Sequence, residues 1–206
     1  MTRMGYVFNC DTCLDVRGCQ TACKLYHETP MGIYHTETQT SVDHSSYPDA
    51  NEYFLPIICQ QCGNPSCVPA CPSGALEKLD NGIVSIANPE ACKACESGAC
   101  EEACPYGGIH FDKPTGRAYK CDLCIERLEK GLNPRCVDGC LTQSRFCGDF
   151  DDPNSVVSQA VSSWEGYVHQ LKPETGNEPN VYYLLSKKRW DDMNNLVTTQ
   201  WHNPAE

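Results

Sequence analysis

The sequence predicts an α+β chain in which short strand pairs alternate with cysteine-bearing loops, and three observations carry that expectation. Of the 206 residues 17 are cysteine, and sixteen of these fall into four groups of four with matching spacing. Between the later groups lie short β-branched or aromatic stretches broken by Asn-Gly and Pro-Thr-Gly turns. After the last group, helical periodicity gives way to an apolar segment and a polar tail.

Met1-Thr2-Arg3-Met4-Gly5 runs straight on to Cys10, which leaves no room for the charged and apolar regions of an export signal. The best apolar stretch, Tyr53 to Cys59, is far too short for a spanning helix, so no transmembrane segment is expected. A formal charge of -11, from 16 basic against 27 acidic residues, sets nucleic acid and anionic lipid aside as partners. An odd cysteine count in a chain without a signal argues against disulfides and for metal.

The groups are Cys10, Cys13, Cys19, Cys23; Cys59, Cys62, Cys67, Cys71; Cys92, Cys95, Cys100, Cys104; and Cys121, Cys124, Cys136, Cys140. Each opens with a two-residue gap and closes with a three-residue gap, and only the middle gap varies, at five, four, four and eleven residues. A C-x2-C turn lets two thiolates reach two irons of one cube, and in two-cluster ferredoxins the fourth cysteine of a motif ligates the other cluster. The endings Cys71-Pro72 and Cys104-Pro105 complete that ferredoxin pattern. A zinc ribbon would need two C-x2-C pairs per metal, whereas here each pair is trailed by its own C-x3-C. Cysteines buried merely as small apolar residues have no reason to repeat one spacing four times.

Within this frame Pro72–Leu79, Asp80-Asn81-Gly82 and Ile83–Ile86 read as a hairpin of a short strand, an Asn-Gly turn and a β-branched strand, and Ile109–Asp112 with Arg117–Lys120 as a second one. Cys67 with Cys71, and Cys100 with Cys104, stand one helical turn apart. Residues 24–58 read as a loop layer or partner surface, with His27, His35 and His44 solvated or hydrogen-bonded, not ligating. Asp152 reads as the N-cap of a helix with Pro153 in first position, an apolar face of Val156, Val157, Ala160, Val161 and Trp164, and Gly166 as its stop. Val181–Leu185 is a strand candidate, and the tail from Ser186 to Glu206 is expected to wrap a partner or move freely. The backbone amides of Gly63, Gly74, Gly98, Gly107 and Gly108 are expected donors to sulfur, and Cys147, outside every group, reads as a free thiol and not a ligand. No Ser/His/Asp arrangement, P-loop or dinucleotide fingerprint is present, so substrate chemistry is assigned to a partner.

Four such motifs, with the segments Cys71-Pro72-Ser73-Gly74-Ala75 and Cys104-Pro105-Tyr106-Gly107, resemble the four-cluster iron-sulfur (beta) subunits that accompany molybdopterin catalytic subunits of the dimethyl sulfoxide reductase family. The runs Lys130–Asp138, Gly148–Pro153 and Leu171–Glu174 are most similar to the small subunit of respiratory arsenate reductase. The resemblance implies two pseudo-symmetric bacterial-type two-cluster ferredoxin modules with a C-terminal extension. Carried onto this chain, its nested pairing gives four [4Fe-4S] clusters. One is held by Cys10, Cys13, Cys19 and Cys140, and one by Cys121, Cys124, Cys136 and Cys23. The inner two are held by Cys59, Cys62, Cys67 and Cys104, and by Cys92, Cys95, Cys100 and Cys71. It further implies an outer module of residues 1–23 with 117–150, an insertion at 24–58, an inner module at 59–116, and an extension at 151–206 holding a helix, a strand and a partner-wrapping tail.

Three departures fall at Leu14–Gly18, Glu96–Ala99 and Cys140-Leu141, where the family usually has two residues, two residues and C-P. The implied function is electron transfer between a large Mo or W molybdopterin subunit and a quinone, membrane anchor or soluble carrier. Its location is cytoplasmic, or exported with a signal-bearing partner. The alternative is a free-standing polyferredoxin, or the equivalent subunit of a hydrogenase or formate dehydrogenase. Against the free-standing form, the 66 residues after Cys140 exceed what a free ferredoxin needs.

Overall fold

The computed structural model describes residues 2–42, 52–93, 95 and 97–186. β1 (Met4–Asn9) leads into the helix α1 (Gly18–His27), and β2 (Thr36–Val42) and β3 (Glu52–Ile58) pair antiparallel as a long ribbon. Two short antiparallel hairpins follow, β4 (Leu76–Lys78) with β5 (Val84–Ile86) and β6 (Ile109–Asp112) with β7 (Arg117–Lys120). The short helices α2 (Pro89–Lys93) and α3 (Ala99–Glu102) lie between these hairpins in the chain. Next come α4 (Ile125–Leu128), α5 (Arg135–Asp138), β8 (Arg145–Asp149), α6 (Val156–Ser163), β9 (Val168–His169), a 3-10 turn at Pro173–Thr175 and β10 (Val181–Leu184).

Both expected hairpins form. In the first, Leu76 faces Ile86 and Gly82 takes φ 81°, the conformation its turn needs. In the second, Ile109 faces Lys120.

The largest sheet joins the two ends of the described chain in the order β8-β1-β10-β9. β1 runs antiparallel to β8 and parallel to β10, so the strand expected at Val181–Leu185 lies inside the fold. Side-chain alternation along β1 divides two cores. Tyr6 and Phe8 project with Val181 and Tyr183 into a core shared with cysteines of three groups. Val7 projects the other way, with Leu184, against Val157 of α6. Gly5 is required by close approach, because a Cβ there would meet the Asn180 carbonyl oxygen at 1.9 Å.

Several expectations need correction. Residues 24–58 are not a loop layer: α1 extends to His27, and β2 and β3 form a seven-pair ribbon in which Thr36 and Thr38 are buried. The cap of α6 is Ser155, whose hydroxyl accepts from the Ser158 amide at 3.2 Å. Asp152 instead accepts from the Asn154 amide at 2.8 Å in a turn that contains Pro153, and Val156 is exposed. Around Cys67 to Cys71 the chain makes successive turns, not a helix, with Val68 N–H on the Pro65 carbonyl and Cys71 N–H on the Val68 carbonyl. The polar tail from 187 onward and His44 lie outside the described residues.

Candidate metal centres

Four of the cysteine sulfurs receive backbone amides, most of them delivered by a tight turn. After the last cysteine of three groups the chain folds the same way: the amides of Gly74, Gly107 and Gln143 donate to the carbonyls of Cys71, Cys104 and Cys140 at 3.1, 3.4 and 3.1 Å. These residues take φ of 63°, 64° and 51°, so Gln143 holds a conformation that glycine holds in the other two. The turn delivers the next amide to the thiol, from Gly108 to Cys104 Sγ at 3.4 Å and from Ser144 to Cys140 Sγ at 3.3 Å. Further sulfur-directed amides come from Ala118 to Cys92 and from Leu123 to Cys121, both at 3.3 Å.

Inside two C-x2-C pairs, Gln61 and Leu123 take positive φ, at 48° and 59°. Ahead of the third cysteine of the first and third groups, Arg17 and Gly98 are left-handed caps of α1 and α3. In the other two groups Pro65 and Pro134 occupy the corresponding place, and the amides of Val68 and Val137 bond to their carbonyls. Of the glycines expected to serve sulfur, Gly108 does so, while Gly63 N–H goes to the Glu178 carbonyl and Gly74 and Gly107 close turns.

The thiols gather across groups. One pocket is lined by Cys59, Cys62, Cys67 and Cys104 together with Gln60, Tyr106 and Ile109. Burial, then the neighbouring sulfurs of Cys59, Cys104 and Cys67, pushes the Cys62 thiol up. Burial followed by Cys71 and Cys92 pushes Cys100 to about 11. Cys23 is raised by burial and then by Cys136 and Cys124, Cys10 by burial and then by Cys13. Cys19 is raised by burial, with Arg145 opposing and Cys136 and Cys140 adding to the rise. In every case neighbours include a cysteine from another group, or the next cysteine of its own.

Two thiols run the other way. Burial raises Cys71, but the Ser73 hydroxyl and the amides of Leu76 and Ala75 outweigh it and hold the thiol below its ordinary value. At Cys140 burial is likewise outweighed by the hydroxyls of Ser144 and Thr142, then by the Ser144 amide and Arg145. Each is the closing cysteine of its group, and each is half-buried.

This donor set fits iron-sulfur clusters. Packed, buried thiolates repel one another unless a cation is shared among them, and metal binding is what releases their protons. Two buried cations point to the same missing negative charge. Lys120 donates to the carbonyls of Val84 and Cys121, the latter at 2.7 Å, and its charge favours the thiolates of Cys67 and Cys104. Arg145 favours those of Cys10, Cys19, Cys23 and Cys140. Both ring nitrogens of His35 are buried without a hydrogen-bond partner, and its ring offers a nitrogen within 4.8 Å of Cys23 Sγ. His35 is therefore not solvated, and burial followed by His27 and Lys120 holds it down at about 3.

Several residues near sulfur carry no signal in the spacing. The Tyr6 hydroxyl lies 3.8 Å from Cys121 Sγ and 3.6 Å from Cys136 Sγ, and His27 Nε2 lies 3.3 Å from Cys124 Sγ. His27 follows Cys23 by one helical turn along α1, which could have flagged it. Cys147 stands opposite Tyr6 in the β1–β8 register, and its thiol is raised by burial and then by Cys136 and Cys124.

Cysteine quartets on sulfur-directed turns between short strand pairs define an iron-sulfur protein of the ferredoxin type, and residues 50–150 match the family described as 4Fe-4S dicluster domain. The chain is 34% identical to a tetrathionate reductase subunit of Salmonella typhimurium, over 84% of this chain and 68% of that one. It is 32% identical to the iron-sulfur subunit of the arsenate respiratory reductase of Shewanella sp., over 89% and 97% of the two chains. To a sulfite dehydrogenase subunit of Allochromatium vinosum it is 32% identical over 99% and 92%. The chain belongs to the family of iron-sulfur electron-transfer subunits of molybdopterin reductases. Among the described residues no helix is long and apolar enough to cross a membrane.

Proposed function

We propose that this chain holds four [4Fe-4S] clusters and relays electrons between a large Mo or W molybdopterin catalytic subunit and a quinone, membrane anchor or soluble carrier. The observation that carries the reading is the mixing of thiols between groups: Cys104 lines one pocket with Cys59, Cys62 and Cys67. Cys71 is the first thiol neighbour of Cys100, Cys136 and Cys124 are those of Cys23, and Cys140 is a neighbour of Cys19. We therefore assign the ligand sets as Cys10, Cys13, Cys19, Cys140; Cys121, Cys124, Cys136, Cys23; Cys59, Cys62, Cys67, Cys104; and Cys92, Cys95, Cys100, Cys71. On this assignment two pseudo-symmetric ferredoxin modules are interleaved, the outer one from residues 1–23 and 117–150 and the inner one from 59–116.

When bound, the clusters supply one-electron redox chemistry. The chain fixes their spacing, excludes water and sets the charge around them. Cys59 is a neighbour of Cys121, and Cys136 of Cys19, while Cys67, Cys92 and Cys100 share one core. These adjacencies support a linear order from the Cys92 set through the Cys59 and Cys121 sets to the Cys10 set. The two end sets each contain two half-buried cysteines, Cys71 with Cys95 and Cys13 with Cys140. The exposed Leu14, Val16 and Leu141 flank the second of these ends in sequence and offer an apolar docking edge.

Metal and sulfide analysis tests the reading. About 16 irons with matching acid-labile sulfide per chain is expected, along with co-purification of a large molybdenum or tungsten subunit. Zinc without sulfide, or a chain that carries its clusters in the native source with no large partner, overturns it.

A further inference from the structure

Arg145 opens β8 directly after Ser144, the residue whose amide reaches the Cys140 thiol. Its side chain is buried, at 3% exposure for the residue, and among the described residues no carboxylate lies within ion-pair distance of it. Of its five N–H donors one is used on a side chain, with Nη1 donating to Thr36 Oγ1 at 3.0 Å. The guanidinium carbon stands 4.8 Å from the centre of the Phe8 ring, so an aromatic face covers one side of the ion. A buried guanidinium without a counter-charge is among the least favourable arrangements a protein core can hold. The groups that favour its charge when ionised are first the sulfur of Cys136, then those of Cys19 and Cys140, from two adjacent ligand sets, and then the Tyr6 hydroxyl. Cys10 and Cys23 feel it as well.

The position has a redox consequence. An electron passed from the Cys121 set to the Cys10 set oxidises the first by one electron and reduces the second by one, adding one negative charge at the receiving site. A fixed positive charge nearby, screened by neither water nor a carboxylate, favours that reduced state. Resting on the four-cluster reading above, we propose that Arg145 is the permanent counter-cation of the outer two sites. Its charge holds both outer sites, that of Cys10, Cys13, Cys19 and Cys140 and that of Cys121, Cys124, Cys136 and Cys23, at a raised reduction potential.

The test is a redox titration followed by electron paramagnetic resonance on the complete complex, with Arg145→Gln and Arg145→Lys compared against the unsubstituted protein. The signal altered by Cys140→Ser identifies the outer site. The expected result is iron and sulfide unchanged in both variants, a lower midpoint for the outer signal in Arg145→Gln, and a midpoint close to the original in Arg145→Lys. Loss of iron in Arg145→Gln with retention of iron and midpoint in Arg145→Lys also supports the proposal, because the charge is then what the site requires. Arg145→Gln with full iron and unmoved midpoints overturns it. So do equal shifts in the two variants, or loss of clusters from both, since shape and not charge would then matter. Failure of the four-cluster reading is seen separately, as an unsubstituted protein with fewer than about 16 irons.

Discussion

The side-chain amide of Gln61 donates to the main-chain carbonyl of Cys121 at 3.0 Å, across 60 positions of sequence and between two different cysteine groups. The same side chain accepts from the Val84 amide at 2.8 Å, so one fully buried glutamine ties the second group to both the fourth group and β5. Replacing it with Leu leaves the Val84 N–H without its acceptor and removes a donor from Cys121. A loss of about 2–4 kcal/mol is expected for these unmade bonds. Denaturation followed by the visible absorbance of the bound clusters measures it, and an unchanged midpoint would mean that the amide is dispensable.

Two adjacent glycines make an internal comparison. Gly107 has φ 64° and open space where a Cβ would go, so Gly107→Ala meets only backbone strain of about 1 kcal/mol. At Gly108 a Cβ would come within 2.7 Å of Cys59 Cα and 3.0 Å of its nitrogen. Gly108→Ala must therefore displace Cys59 itself. Iron content is expected to hold in the first variant and to fall by about one cube, roughly four irons, in the second. Similar iron in both would contradict the close approach.

The cross-group ligand assignment makes a prediction that spacing within a group does not. Serine substitution at Cys104 should alter the same paramagnetic signal as substitution at Cys62, although these cysteines belong to different groups. Cys71→Ser should match Cys100→Ser, and Cys23→Ser should match Cys124→Ser. Signals that sort by group instead would replace nested pairing with four self-contained sites.

Cys147 offers the opposite expectation. It lies on β8 opposite Tyr6, close to Cys136 and Cys124, yet on the proposed assignment the sixteen other cysteines complete four sets. Cys147→Ser is expected to leave iron, sulfide and every cluster signal unchanged, with a stability cost of about 1 kcal/mol or less for the added polarity in a half-buried position. Loss of one signal would make it a ligand.

Removing the metal should undo more than the redox function. With sulfurs of three groups built into the main core, oxidative loss of the clusters leaves thiols that burial keeps protonated, and the buried cations Lys120 and Arg145 without the clusters' negative charge. The cluster-free chain is expected to lose cooperative thermal unfolding, seen by calorimetry. A sharp transition surviving chelation would show that the packing alone suffices.

The local parts of this architecture were legible from residues alone. The four-fold cysteine spacing, the Asn81-Gly82 turn and the strands at 109–112 and 117–120 depend on near neighbours, and they stand as expected. The β2–β3 ribbon was missed because a Thr36-Glu37-Thr38-Gln39 run reads as polar surface, although its alternating threonines are a strand signal. The cap of α6 shifted from Asp152 to Ser155 because both residues suit caps and turns, and the side chain three residues nearer the helix won. Tyr6 and Arg145 reach the thiols through pairing of β1 with β8, about 140 residues apart, and no local pattern encodes that encounter.

The parallel seam between Tyr6–Asn9 and Val181–Leu184 also orders the birth of the molecule. On a ribosome, every cysteine from Cys59 to Cys104 emerges before the strand that completes the sheet has been translated. On the proposed assignment the sets containing Cys10 and Cys23 wait for Cys140 and Cys136, and Tyr6 and Phe8, which share a core with Cys10, Cys19 and Cys23, stay unclamped until position 184 leaves the exit tunnel. On that assignment iron delivery to the inner half can begin during synthesis, whereas the outer half is finished later, once residues 181–184 are free to pair with β1. A nonsense codon near position 180 would strand the protein half-loaded.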